Sequence, residues 1–285
     1  DCAAAYGFGS PNAVLFGFIF GAIGQYVDKH LVNMGISRKD YFYYMCLSMI
    51  PFSILMIIIE IITKQFKFTL EIVPVILLLI AMFLRYNKQK TIVGCLTYLN
   101  PYEDSAYLSL GLLISFIIDV LLGIQKFRFI SFISIFITII GVFLISNSKL
   151  KIKNLKSDIF VRITTSLLMG YITHYILIYW SNALFIFMLN LFLTLLFCKD
   201  YNIKYYTKTK DIIMWCFIQQ VFGFTSLYLS NILMSNSVAL SNYVRPASII
   251  IVLIIALFLK NKEGKPTIKQ VFGILLIVAG IVLIR

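Results

Sequence analysis

An arginine inside an apolar segment is the strongest candidate for a functional residue in this sequence. Arg245 precedes Pro246, and the apolar residues around this pair continue to Leu259. An ionisable side chain at the centre of a membrane helix costs at least ~2.5 kcal/mol, which marks it as a functional candidate. Proline removes a backbone donor, and such a break survives only inside the protein or beside a watery cavity. Arg245 is therefore predicted to face a cavity and to bind a carboxylate, a phosphate or another anionic group.

Two acidic residues give Arg245 an alternative role. Glu103 and Asp104 follow Pro101, which occupies the place of Pro246 in the first half of the chain. One of them can form a buried ion pair with Arg245, and breaking such a pair is costly. Either carboxylate can instead be a proton-coupling group in an unwound helix segment. A third interpretation places both acids in a loop at the membrane surface.

Other polar side chains are candidates for the same cavity. Asn242, Tyr243 and Tyr98 flank the two predicted helix breaks, and His174 lies among aromatic residues. Gln219 should avoid lipid, so it either lines the cavity or forms a hydrogen bond between helices. We include all five among the candidate substrate-binding residues.

Asp28 is a third ion-coupling candidate. It lies near the end of the first apolar helix, next to Lys29. The alternative is that both side chains extend to the headgroup level and compensate each other.

The sequence does not favour an enzyme or a metalloprotein. Its five cysteines are scattered, it has two histidines, and it contains no Cys-x-x-Cys, His-Glu-x-x-His or Gly-x-Ser-x-Gly motif. We therefore predict no catalytic residue, no metal site and no cofactor.

Composition indicates an all-α, polytopic membrane protein. Hydrophobic residues make up 60% of the chain, charged residues 13%, and the mean hydropathy is +0.93. About 20 apolar residues cross a bilayer, so the chain has room for ten helices. The net charge of +13 arises in short loops, where anionic headgroups are a better partner than nucleic acid. Residues 1–11 are interpreted as an artificial or disordered N-terminal extension.

The ten predicted helices alternate with short polar segments, and Gly17, Gly21 and Gly24 form a small-residue face on the first, which favours close packing. The second is predicted to break at Pro51 and the fourth at Asn100-Pro101. The predicted ranges are Asn12–Met34, Tyr41–Ile62, Leu70–Leu84, Thr91–Gly123, Phe129–Ser146, Ile159–Tyr179, Asn182–Cys198, Ile212–Leu233, Ser237–Leu259 and Thr267–Ile284.

The chain divides into two similar halves. Aligning Pro246 with Pro101, and allowing six extra residues in the first half, also aligns two closing segments, Gly141–Ile145 and Gly280–Ile284. Residues 12–146 form the first predicted five-helix repeat, 147–158 a basic linker and 159–285 the second repeat. An odd number of helices per repeat inverts the second relative to the first, and the substrate site of such proteins lies near the midplane.

Lysine and arginine residues indicate an orientation. Most of the 25 fall in loops after odd-numbered helices, and Arg85, Lys88 and Lys90 are assigned to the loop after the third. The positive-inside rule then places these loops in the cytoplasm and both termini outside.

These features resemble the EamA-type carriers of the drug/metabolite transporter superfamily. The resemblance rests on the Gly-rich first helix with Asp28-Lys29, on the segment Asn236–Pro246, and on the turn Lys260–Gly264 before the last helix. It implies a ten-helix carrier with its cavity between helices 1, 3, 4, 6, 8 and 9. It also implies cytoplasmic termini, which conflicts with the charge distribution.

The expected function is secondary transport by alternating access. The substrate would be a small polar or zwitterionic metabolite, and the alternative is export of lipophilic drugs. Small multidrug exporters need an unpaired glutamate in helix 1, where this chain has Asp28 beside Lys29. We expect a monomer or homodimer in a bacterial cytoplasmic membrane, with the lipid bilayer and the substrate as its partners.

Overall fold

The computed structural model describes residues 11–108, 110–124, 126–145, 153–198, 209–236, 238, 251, 254 and 267–283. Within these ranges the structure is helical and has no strands, which confirms the predicted all-α class. The helices are α1 (Pro11–Asn33), α2 (Arg38–Ile62), α3 (Ile72–Tyr98), α4 (Pro101–Leu108), α5 (Gly111–Leu121), α6 (Phe129–Ile145), α7 (Lys153–Ile176), α8 (Asn182–Phe197), α9 (Thr209–Asn236) and α10 (Ile268–Leu283).

The helices are those of a membrane protein. Four stretches are long and apolar enough to cross a bilayer, and they lie in α2, α3, α7 and α9. Shorter apolar helices accompany them in α5, α6, α8 and α10. Large apolar side chains such as Leu79 and Phe83 are exposed on α3, as expected where a helix faces lipid.

Two predicted helix boundaries are wrong. The second helix is continuous through Pro51, because α2 runs from Arg38 to Ile62. The predicted loop around Arg85 is also absent, since α3 is one helix from Ile72 to Tyr98. Arg85 and Gln89 are buried inside the protein, so they do not have to leave the membrane. Basic residues assigned to a cytoplasmic loop therefore lie within a helix, which weakens the charge-based orientation.

The end of α3 is determined by Pro101. The helical conformation is disfavoured for Asn100, the residue before Pro101, and proline is favoured at the first position of the next helix. The chain is extended at Leu99, and α4 begins at Pro101. The carboxylate of Glu103 accepts a hydrogen bond from the Asn100 backbone N–H at 3.1 Å, one half of a capping box. The predicted break at Asn100-Pro101 is confirmed as the boundary between α3 and α4.

Helices from distant parts of the chain pack in pairs: α1 with α9, α2 with α8, α3 with α7 and α6 with α10. In α1 and α9 the contacts run in opposite directions, from Gly17 near Leu229 to Gly24 near Gly223. The ends of α2 meet opposite ends of α8, since Phe42 stacks edge-on against Phe197. The pairs α1–α9 and α2–α8 are therefore antiparallel helices brought together from far along the sequence.

A buried carboxylate joins α2, α8 and α9. Glu60 is 1% exposed, and its Oε1 accepts hydrogen bonds from the Ala183 N–H at 3.0 Å and the Tyr228 hydroxyl at 2.8 Å. Ala183 lies in the first turn of α8, where free N–H groups and the helix dipole favour a negative charge. Asn182 and Asn231 extend this network by a hydrogen bond of 2.8 Å.

Glycines allow α6 and α10 to approach closely. A Cβ atom added to Gly141 would lie 2.6 Å from the Gly273 carbonyl oxygen, and one added to Gly280 would lie 2.8 Å from the Ser134 oxygen. Both contacts are with backbone, which cannot move aside as a flexible side chain can. Small residues at such contacts are typical of membrane helix pairs.

We expect Gly141→Ala and Gly273→Ala to lower the stability of the protein. Overpacking of this kind costs about 1–3 kcal/mol, which exceeds the gain in helix propensity. Gly111→Ala is the matched control, because its added Cβ would lie no closer than 4.0 Å to another residue. Thermal unfolding in detergent measures all three variants. A Gly141→Ala protein as stable as Gly111→Ala would contradict the close contact.

Candidate functional site

A cavity of about 220 Å³ lies between α1, α2, α3 and α9. Its wall is rich in polar groups, which is unusual for a space between membrane helices. The polar residues of the wall are Gln25, Asp28, Tyr41, Arg85, Lys88, Gln89, Gln219, Gln220, Ser226 and Ser230.

Helical periodicity explains why these residues meet. On α3, Arg85, Lys88, Gln89 and Ile92 are spaced at i, i+3, i+4 and i+7, so they share one face. The α9 residues from Gln219 to Met234 follow a similar pattern. Each helix therefore presents a polar face to the cavity and an apolar face to lipid or neighbouring helices.

The predicted small-residue face of the first helix is confirmed. A Cβ atom on Gly21 would lie 2.9 Å from the Ser226 hydroxyl oxygen. Ser226 in turn donates a hydrogen bond to the Gly17 carbonyl at 3.0 Å. This close packing of α1 against α9 forms one side of the cavity.

Among the described residues that line the cavity, Asp28 supplies the carboxylate. It accepts a hydrogen bond of 2.8 Å from the Tyr41 hydroxyl, and the side chain of Gln219 lies close to it. Its neighbour Lys29 donates hydrogen bonds to the carbonyls of Leu96 at 2.6 Å and Leu99 at 3.1 Å. Lys29 therefore caps the C-terminal end of α3, where a cation is favoured.

Arg85 is the functional candidate that sequence analysis missed. It lies in the middle of α3, its side chain is 6% exposed, and its Nη2 is 3.5 Å from the Met49 sulfur. Its Nε has no hydrogen-bond partner among the described residues. The useful signal was Pro101, because a helix that ends before it and needs about 20 residues to cross a bilayer has to begin before Arg85.

A second, smaller cavity of about 30 Å³ lies between α3, α7, α8 and α9. Ser166 and Asn190 line it, and each has a buried side-chain oxygen without a partner among the described residues. The residues that line both cavities are Arg85, Lys88, Leu227 and Met234. The α3 and α9 residues thus form a wall shared by the two spaces.

The predicted site residues are dispersed. Asp28 and Gln219 line the larger cavity. His174 contacts the Met234 carbonyl through Nδ1 at 2.7 Å, close to the shared wall, whereas Tyr98 is 56% exposed at the end of α3. Arg245, Asn242 and Tyr243 lie outside the described residues. Their predicted substrate-binding role stays a prediction.

Asp104 forms a buried ion pair with Arg162. The two side chains join α4 to α7, with Asp104 Oδ1 2.6 Å from Arg162 Nη1. The side chains are 3% and 8% exposed, respectively. Asp104 thus contacts an arginine other than Arg245, and its ion-coupling role stays a prediction. The ion-coupling role of Glu103 also stays a prediction, and the contact described for its side chain is the hydrogen bond that caps α4.

We expect Asp104→Asn and Arg162→Met each to destabilise the protein by about 3–5 kcal/mol, because each strands a buried charge. The double variant should lose less than the sum, since it removes both charges.

The pair Arg38–Asp158, at 3.0 Å but with Arg38 47% exposed, is the control. Its loss should cost ~1 kcal/mol or less. Additive effects of Asp104→Asn and Arg162→Met on thermal unfolding would contradict the coupling.

No protein-family profile matches the chain, and no curated protein matches it. Solved structures do match, with 26 similar chains. One of them, a crystal structure of a protein with 11% sequence identity, superposes with a TM-score of 0.68. The superposition covers 96% of this chain and 96% of the other. At this identity the likeness shows a common fold and does not extend to function.

Proposed function

We propose that the protein is a secondary carrier, of the EamA type that its sequence resembles, for a small polar or zwitterionic metabolite. The observation that carries this proposal is the polar cavity of about 220 Å³ between helices that can span a membrane. Polar groups inside a membrane domain are costly and mark a path or site for a solute. The cavity is smaller than the ~300–1,000 Å³ of drug-binding pockets, which favours a small substrate.

The pairing of helices supports two repeats. In chain order, α1, α2, α3 and α6 are the first, second, third and fifth helices of the first half. Their counterparts in the second half are α7, α8, α9 and α10. Exchanging each helix with its counterpart converts the α1–α9 contact into the α7–α3 contact. It leaves α2–α8 and α6–α10 unchanged, so the observed set of pairs is preserved.

The direction of the paired helices supports an inverted arrangement. The pairs α1–α9 and α6–α10 are antiparallel by their glycine contacts. Helices that cross a membrane in turn run in opposite directions when one has an odd and the other an even number. With the predicted ninth helix, Ser237–Leu259, counted as one crossing, both pairs obey this rule.

The same exchange relates the two cavities. The larger cavity lies between α1, α2, α3 and α9, and the exchange converts these helices into α7, α8, α9 and α3. Those helices enclose the smaller cavity. In an inverted-repeat carrier, the two would be the access chambers of opposite sides, one enlarged and one collapsed. Alternating access then exchanges their sizes around the shared wall.

The lining disfavours export of lipophilic cations, the alternative function. Arg85 and Lys88 supply two positive charges, against the carboxylate of Asp28 in the described lining. The positive charges of Arg85 and Lys88 would repel a lipophilic cation from the shared wall.

Transport into proteoliposomes tests the proposed function. Vesicles preloaded with a mixture of amino acids, nucleosides and sugars should take up the labelled form of a member of the mixture by exchange. Protein-free vesicles are the control, and tetraphenylphosphonium is the probe for the exporter alternative. Uptake of that cation without exchange of any metabolite would favour the exporter and overturn the proposal.

Cysteine labelling tests the relation between the cavities. In a background without native cysteines, Ser230→Cys in the larger cavity should react with a water-soluble maleimide faster than Ser166→Cys in the smaller one. A transported solute should shift the two rates in opposite directions, since one chamber closes as the other opens. Parallel changes of both rates would contradict alternating access.

A further inference from the structure

Arg85 lies where a charged side chain is hardest to accommodate. It is the midpoint of α3, a membrane-spanning helix from Ile72 to Tyr98. Its side chain is 6% exposed, so it does not reach solvent or headgroups by extending along the helix. A guanidinium here must be satisfied by protein or by a ligand.

The protein provides few acceptors for Arg85. A guanidinium has five N–H donors, and Nη2 of Arg85 contacts the thioether sulfur of Met49, a weak acceptor. Two ion pairs, Arg38–Asp158 and Arg162–Asp104, lie among the described residues, and neither includes Arg85. The Nε atoms of Arg85 and Arg162 are both buried without a hydrogen-bond partner among the described residues, so the two arginines differ in whether a carboxylate pairs with the guanidinium.

Arg162 is the internal comparison. It is 7% exposed, close to the value for Arg85, but it has a carboxylate at 2.6 Å. The fold therefore compensates one buried guanidinium with Asp104 and leaves the other facing cavities. A side chain that only held helices together would be expected to resemble Arg162.

Arg85 also has the position that a transported anion requires. It lines both cavities, so a solute in either one reaches the same guanidinium. The larger cavity contains an opposite charge, the carboxylate of Asp28 on α1. The two helices thus present a cation and an anion to one small space.

We propose that Arg85 binds the carboxylate of a small zwitterionic substrate, an α-amino acid or a short peptide, whose ammonium group faces Asp28. This inference rests on the proposed carrier function and assigns its substrate class. The planar guanidinium matches a carboxylate with two parallel hydrogen bonds, which lysine does not reproduce.

The test compares Arg85→Met and Arg85→Lys with wild type in proteoliposomes preloaded with the twenty amino acids. Wild type should exchange a labelled amino acid, and its methyl ester, which lacks the carboxylate, should compete on the order of tenfold to hundredfold less well. In Arg85→Met, exchange should fall by a similar factor, and the amino acid should lose its advantage over the ester. Arg85→Lys should retain part of the exchange, because it keeps the charge without the planar geometry.

Thermal unfolding of the same variants separates binding from folding. Arg85→Met should be at least as stable as wild type without substrate, because it removes a buried charge that lacks a carboxylate partner. Arg162→Met should be destabilised, since it strands Asp104. If Arg85→Met unfolds as readily as Arg162→Met, Arg85 is a structural residue and the inference is wrong.

The outcomes distinguish this inference from the function on which it rests. Exchange of nucleosides or sugars that is unaffected by Arg85→Met would overturn the inference and leave the carrier function standing. Exchange of phosphorylated solutes that depends on Arg85 would overturn the assignment of a carboxylate. Absence of any exchange by wild type would overturn the carrier function, and the substrate assignment with it.

Discussion

A membrane interior provides no water to a buried charge, and the arrangement of this protein follows from that constraint. Asp104 pairs with Arg162, and one oxygen of the Glu60 carboxylate accepts hydrogen bonds from the first turn of α8 and from the Tyr228 hydroxyl. Lys29 caps the last carbonyls of α3. Each contact joins helices that are distant in sequence, so satisfying the charges also fixes how the helices pack. Arg85 differs, because its surroundings are two cavities rather than a carboxylate.

The sequence predicts those features that depend on one helix at a time. The apolar runs give an all-helical membrane protein, and the Gly17–Gly24 face gives close packing of α1. Pro101 gives a helix boundary, because its ring restricts the residue before it. Asp28 and Gln219 could be selected because a polar side chain in an apolar helix needs a polar neighbour. The structure places both in the wall of the larger cavity.

Features that depend on a distant partner could not be predicted. Arg162 and Asp104 are 58 residues apart, and Tyr228 and Glu60 are 168 apart, with no local pattern to connect them. Arg85 was assigned to a loop because Lys88 and Lys90 follow it and three nearby cations usually mark a membrane surface. In the structure they belong to α3, one polar face of which is turned into the protein. A cluster of cations therefore predicted a loop where α3 instead continues, because the interior of this protein is polar at that point.

The shared wall suggests why one arginine can serve a carrier that works from both sides. In the proposed mechanism the two chambers change size while α3 and α9 stay between them, so Arg85 need not cross the membrane or enter lipid. A substrate carboxylate bound to it would remain satisfied while access changes from the larger chamber to the smaller. Without substrate, closure would leave the guanidinium without water and without the substrate carboxylate. Closing the empty carrier would then be less favourable than closing the loaded one, which is the condition for exchange rather than leakage.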